Sequence, residues 1–392
     1  MNRRRIVKEL ELYIHIPFCV RKCAYCDFLS APADEDTVQK YVDALVREIQ
    51  GYTLSDKKRY QDYRVSTVFV GGGTPSLLFP DQIKTVFSAL RGSFSIEEDA
   101  EITLELNPGT VTEDRLLAWR EARINRLSIG LQSTEDEELG MLGRIHDYRQ
   151  FLDTWELIRN AGMENVNVDL IFAIPGQTLE SWRETLRKAA KLGPEHLSVY
   201  SLIIEEGTPF FERYSKAGTV FPPLPDEETE RQMYEETEKI LKEYGYSRYE
   251  ISNYAKPGYE CRHNMGYWQR TEYLGLGLGA SSLIGKTRFR HISDLQVYLS
   301  LSGDVRAICE EEEVLTTKEE MEEFMFLGLR MMRGVRGSEF LRLFGTGMDA
   351  VYKEPLKRMN ENGLLETEGD IVRLTKRGID ISNYVFGQFL QD

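Results

Sequence analysis

The chain has 392 residues, of which 41% are apolar, and a formal net charge of −15. That acidity, with no basic tract to offset it, argues against nucleic-acid binding, and no run approaches the roughly 18 apolar residues of a membrane-spanning helix. Arg3-Arg4-Arg5 is followed by Glu and Lys instead of an apolar core, so it does not read as a signal peptide. Apolar, β-branched runs then recur at Leu12–Pro17, Ser66–Val70, Ile102–Leu106, Arg126–Leu131, Asn165–Ile174 and His196–Ile204. Segments of helical periodicity separate them, at Val38–Ile49, Ile83–Leu90, Leu116–Ala122, Phe151–Ala161 and Trp182–Leu192, and Glu228–Tyr244 follows the last strand. Six strand–helix units predict an α/β fold, a parallel sheet with helices outside it. They are too few for a closed eight-strand barrel, so the expected form is an open, partial (β/α)6 barrel over residues 1–246.

Beyond Tyr246 the rhythm changes. Tyr249–Tyr254, a loop holding Cys261-Arg262-His263-Asn264, and Leu274–Ile284 suggest strands added at the barrel edge, giving an extension over 247–310. Residues 311–392 read as a small helical unit: Thr317–Met332, Ser338–Leu343 with Ser338 as N-cap, and Ala350–Asn362. A hairpin over Leu364–Leu374, turning at Gly369-Asp370, completes a winged-helix-like pattern. It offers no basic recognition face, so packing or partner docking is the expected role.

The chemistry centres on Cys19-Val20-Arg21-Lys22-Cys23-Ala24-Tyr25-Cys26. Three thiols on one short loop after a strand suit a [4Fe–4S] cluster, which normally takes four cysteines. Three leave one iron open for another ligand. The alternatives are a zinc site with a remote fourth ligand, or ordinary buried thiols. Zinc ligands usually come as separated pairs, and Cys261 and Cys309 are isolated. The C-x3-C-x2-C spacing resembles the radical S-adenosylmethionine (SAM) signature, in which SAM chelates the fourth iron. Few cysteines, three of them crowded, also suit a reducing cytoplasm.

Gly71-Gly72-Gly73-Thr74-Pro75 after the second strand lets backbone approach a ligand. Glu105, Gln132 and Asp169 are polar residues in apolar strands, expensive there unless paired or bound to a ligand. Arg144, twelve residues beyond Gln132, offers a fork for a carboxylate. A structural polar network inside the barrel is the other reading. His263, among Tyr254, Tyr267 and Trp268, suits either a haem ligand or a histidine bonded to backbone.

Leu12-Tyr13-Ile14-His15-Ile16-Pro17-Phe18-Cys19, the cysteine triad, Gly71–Pro75 and His263-Asn264-Met265-Gly266-Tyr267-Trp268 together resemble the HemW haem chaperones, relatives of oxygen-independent coproporphyrinogen III oxidase (HemN). The resemblance implies that Cys19, Cys23 and Cys26 bind the cluster, and that Tyr13, Gly72, Gly73, Thr74, Tyr25, Glu105, Gln132, Arg144 and Asp169 contact SAM. The His-Asn-x-x-Tyr-Trp run is the family's haem-associated element, which implies haem at His263. It also implies delivery of haem to client haemoproteins, those of the respiratory chain among them, with a homodimer as one expected form. Two departures from the oxidase are visible. Phe28 stands where the oxidase has a further cysteine, and the first strand begins near residue 11, without the oxidase's preceding segment. Both weigh toward the carrier, the oxidase remaining the alternative.

Overall fold

The computed structural model describes residues 7–55, 60, 62–215 and 220–390, so the Arg3–Arg5 run lies outside the described residues. Twelve strands form one sheet: β1 (Lys8–Ile16), β2 (Tyr63–Gly72), β3 (Ile96–Leu106), β4 (Arg126–Gln132), β5 (Val166–Phe172), β6 (His196–Ser201), β7 (Ser247–Glu250), β8 (Asn253–Ala255), β9 (Tyr273–Leu276), β10 (Ser281–Ile284), β11 (Thr287–His291) and β12 (Cys309–Val314). Strands β1 to β6 lie side by side in chain order, all parallel. Beyond β1 come β9, parallel to it, and then β10, β11 and β12, antiparallel. Beyond β6 come β8 and β7, also antiparallel. The outermost strands, β12 and β7, do not pair with each other, so the sheet stays open as expected.

Parallel strands covered on both faces usually read as continuous apolar runs, but here β4 (RLSIGLQ) and β5 (VNVDLIF) alternate apolar residues with polar or small ones. Every residue of β4 is buried, and Leu12, Val68, Leu104, Ile129, Val168 and Leu197 join one core with the helices outside. The helices begin where short polar side chains take up free N–H groups. Asp147 and Gln150 form a capping box at Tyr148–Asn160, and Thr178 caps Leu179–Lys191. Trp182, fully buried, donates its indole N–H to Met233 O and Thr237 Oγ1, each at 3.1 Å, fastening Leu179–Lys191 to Glu227–Glu243.

The carboxyl-terminal residues build a second, three-stranded sheet with β15 (Ile371–Leu374) between β13 (Val335–Arg336) and β14 (Leu365–Glu368). It carries its own core, with Phe324, Phe340, Tyr352, Met359 and Phe389 at its centre. The hairpin turns at Gly369-Asp370, as the sequence suggested.

Several local expectations change. The run Leu274–Ile284 breaks into β9 and β10, and Ala350–Asn362 into helices Met348–Val351 and Lys353–Glu361. Ser338 is not an N-cap. The helix starts at Gly337, and Asp370 from the hairpin turn accepts from Ser338 N at 2.8 Å and Ser338 Oγ at 2.5 Å. A carboxylate brought by β15 outcompetes the local hydroxyl as acceptor. The Cys261–Asn264 segment is not a loop but enters helix Arg262–Trp268. Its cap is remote: the Glu101 carboxylate accepts from Arg262 N at 3.1 Å and His263 N at 3.2 Å.

Candidate functional site

The cysteine loop leaves β1 at its carboxyl end and is clamped by segments that follow other strands. Phe18 forms an isolated bridge with Ala31, and Cys19 N donates to Ala31 O at 3.2 Å. Ala24 N donates to Leu142 O at 3.0 Å, and Phe210 N donates to Ala24 O at 2.9 Å. Ala24, Leu142, Ile171, Ile174 and Phe210 pack as a small apolar cluster beneath it. Cys19, Cys23 and Cys26 are free thiols and partly exposed, whereas Cys261 is fully buried. Cys23 Sγ accepts from Arg144 Nη1 at 3.7 Å, and Cys19 Sγ lies 3.9 Å from Ser30 Oγ. Burial pushes the Cys19 and Cys26 thiols up.

The glycine turn presses directly on this loop. Gly73 N donates to Ile16 O at 2.8 Å and Thr74 N to Phe18 O at 2.7 Å. Gly72 has φ +106°, a conformation that suits glycine. A Cβ there would lie 2.5 Å from the ring of His15, which is held between Tyr13 Oη (2.9 Å) and Leu29 O (2.8 Å).

Arg144 arrives by way of a short helix, Asp136–Leu142, that ends at Gly143 in the left-handed region. It donates to Asn107 Oδ1 and, at 2.8 Å, to Gly130 O. Gln132, itself at φ +71°, converges on the same spot: a Cβ on Gly130 would lie 2.8 Å from Gln132 Nε2 and 3.1 Å from both Arg144 Nη2 and Asn107 Oδ1. Cys19, Cys23, Thr74, Asn107, Arg144 and His146 line one cleft. Sequence marks Asn107 only as part of the Asn107-Pro108 loop at the carboxyl end of a strand, with no ligand role, and does not mark His146. Asn107 donates to Thr74 Oγ1 at 2.8 Å. His146 is buried, with Nδ1 unpartnered and burial holding its pKa down at about 4.

Deeper in, Glu105 Oε2 accepts from Gly72 N at 3.1 Å. Asp169 accepts from Asn167 Nδ2 at 2.8 Å and Ser128 Oγ at 3.0 Å. Burial and the neighbouring Asp169 raise Glu105 to about 8. Asp169 is raised as well, chiefly by burial, despite its hydrogen bonds and Arg126. Two carboxyl groups thus stand in the barrel with their charge incompletely compensated, a setting that favours a cationic ligand. Tyr25 packs on the cluster under the cysteine loop, and Tyr13 stacks on Phe69 at 6.4 Å.

His263 lies apart from this cleft. It is 1% exposed, with Nδ1 2.7 Å from Thr67 Oγ1 and Nε2 3.0 Å from Tyr267 Oη, and its ring stacks on Phe69 at 5.1 Å. Burial, reinforced by Arg126, lowers its pKa to about 3, so the ring is neutral. Neighbouring Glu11, 3.9 Å away, is 1% exposed with Oε2 unpartnered, and burial, then Glu9, raises it to about 9. This pair is therefore neutral, not a salt bridge. Because the folded-state value exceeds the unfolded one, the stability Glu11 contributes is complete below about 4.5 and is lost as pH rises through about 9. The stability of wild type relative to Glu11→Gln, from urea unfolding, should fall between pH 5 and pH 9; a difference that stays constant would show that Glu11 is already ionised.

Among the described residues, no three His, Cys, Asp or Glu side chains are grouped to hold a single metal ion. A four-iron cube binds each thiolate on a different iron, so its ligands need not converge on one point. The donor set of three accessible sulfurs on one clamped loop fits such a group, and the under-compensated carboxyls fit a cationic partner beside it.

Residues 13–189 match the model of the radical SAM superfamily, and residues 315–381 that of the HemN C-terminal domain. The chain is 34% identical to the haem chaperone HemW of Lactococcus lactis and 36% identical to that of Bacillus subtilis, over 98% and 96% of this chain and 98% of each relative. The chain belongs to the HemW family. Among solved structures, coproporphyrinogen III oxidase (HemN) of Escherichia coli, a radical SAM enzyme, superposes with a TM-score of 0.84 at 25% identity, covering 97% of this chain and 90% of the oxidase. The HemW family thus shares the oxidase's radical SAM α/β fold and C-terminal unit. An iron–sulfur cluster and SAM are what that superfamily implies.

Proposed function

We propose that this chain is a haem carrier of the cytoplasm that holds a [4Fe–4S] cluster on Cys19, Cys23 and Cys26 and SAM beside it. The observation that carries the cofactor reading is the cleft in which the sulfurs of Cys19 and Cys23 meet Thr74, Asn107 and Arg144. Bound together, cluster and SAM supply one-electron chemistry at a sulfonium carbon. The chain's own residues do the positioning. Gly72 and Gly73 let the backbone reach the ligand, and Arg144, oriented by Asn107 and Gly130 O, is placed to receive a carboxylate. Glu105 would ionise as a cationic ligand enters, with the Asp169 carboxyl beside it, and Tyr13 closes the apolar side with Phe69. Gln132 and Tyr25 line the remaining contacts, and domain limits near 246 and 310 follow the sequence pattern. If His263 serves haem directly, its ring must leave Thr67 or Tyr267.

The carrier reading is supported by likeness to the chaperones along nearly the whole chain, against 25% identity to the oxidase. Full-length protein titrated with haemin should show a saturable Soret shift and pass haem to an apo-haemoprotein. Reconstituted protein given reductant, SAM and coproporphyrinogen should form no vinyl product. Rapid porphyrinogen turnover without haem binding would overturn the proposal in favour of the oxidase.

A further inference from the structure

The haem-associated run ends at Trp268, and there it opens on a second cavity, far in sequence from the cysteine loop. This cavity, of about 440 Å³, lies between the end of helix Arg262–Trp268 and the carboxyl-terminal unit. Its size falls within the roughly 300–1,000 Å³ of small-molecule sites. Trp268, one ring face of which is covered by the Arg330 guanidinium at 4.3 Å, Phe324, Met331 and Val335 supply apolar walls, and Arg333 and Arg336 stand among the lining residues.

The charges divide into two sets. Arg270 is committed to Glu323 at 2.9 Å, and Arg373 to Glu366 and Glu368 at 2.5 and 3.0 Å. Glu339, also in the lining, lies 3.6 Å from Arg342. Arg333 and Arg336 are exposed, and neither forms an ion pair among the described residues; Arg336 acts on Asp370 only as a more distant charge. Two free guanidinium groups beside apolar walls, in a chain of net charge −15, favour a ligand that is largely apolar and carries anionic groups along one edge.

We infer that haem docks in this cavity, its macrocycle against Trp268, Phe324 and Val335 and its two propionates on Arg333 and Arg336. The inference rests on the carrier reading and adds the place and the anchoring residues. In this arrangement Trp268 is the contribution of the His-Asn-x-x-Tyr-Trp run to the ligand, while His263 holds the helix to the barrel through Thr67 and Glu101.

The test is a haemin titration of the full-length chain and its Arg333→Glu/Arg336→Glu variant, with haemin dimethyl ester as a second ligand. Both arginines are exposed and unpaired, so the variant should keep the wild-type circular dichroism and unfolding midpoint. Haemin should bind the variant at least roughly tenfold more weakly, the loss expected for charge-assisted hydrogen bonds. The ester should bind wild type weakly and be indifferent to the double change. If wild type binds haemin and the variant binds it equally well, the cavity is not the site and the carrier reading stands. If wild type binds no haemin, the carrier reading fails, and this inference with it.

Discussion

Replacing Cys23 by Ser should abolish assembly of the iron–sulfur cluster. After anaerobic reconstitution with iron and sulfide, the variant should hold almost no iron or labile sulfide and lack the brown absorption expected of wild type. Cys23 is the middle one of the three thiols on the clamped loop and lies 3.7 Å from Arg144 Nη1, and its loss leaves two sulfurs there. Cys261→Ala is the control. That thiol is fully buried, hydrogen-bonded to Glu101 Oε1 at 3.5 Å, and its loss should leave iron content unchanged. Equal iron in wild type and Cys23→Ser would remove the basis for the whole cofactor assignment.

Gly73→Ala should be strongly destabilising. A Cβ at this position would lie 2.9 Å from Ile16 O and closer still to Phe18 O, both backbone atoms at the start of the cysteine loop. Those carbonyls are the acceptors for Gly73 N and Thr74 N, so relieving the clash breaks the bonds that hold the two loops together. We expect a loss of about 3 kcal/mol in urea unfolding, overpacking and broken hydrogen bonds acting together. Gly92→Ala is the comparison: it ends a helix with nothing near its Cβ, and alanine there should be neutral or stabilising by about 0.5–1 kcal/mol. An unfolding midpoint for Gly73→Ala matching that of Gly92→Ala would mean that the two loops are not coupled.

Cys23 and Gly73 both lie in motifs legible in the sequence. The cysteine spacing and triple glycine are contiguous, and the apolar run before each marks the carboxyl end of a strand, so sequence placed them correctly at one end of the sheet. Glu105 and Asp169 were also visible, as carboxyls in otherwise apolar strands. Asn107 and His146 were not marked as ligands, because an Asn before a Pro and a lone His in a loop look like ordinary turn residues until Thr74 and Arg144 are brought beside them.

The helix Arg262–Trp268 marks the boundary most clearly. No local residue caps it, so its sequence reads as a loop whose histidine suits haem or a bond to backbone. Its start is fixed by Glu101, some 160 positions earlier in the chain, and the same contact turns His263 inward to Thr67. Ser338 makes the same point, losing its capping role to Asp370.

By itself the sequence determined the order of β1 to β6, the open parallel sheet and the cysteine loop at its carboxyl end. These follow from periodicity and spacing, which act between residues a few positions apart. Only the tertiary structure decided that Arg144 reaches Cys23, that Glu101 builds a helix for His263, and that Trp268 opens on an arginine-lined cavity. Each of those meetings joins groups that periodicity cannot relate, since the distance between them is set by the packing of the sheet and not by the chain.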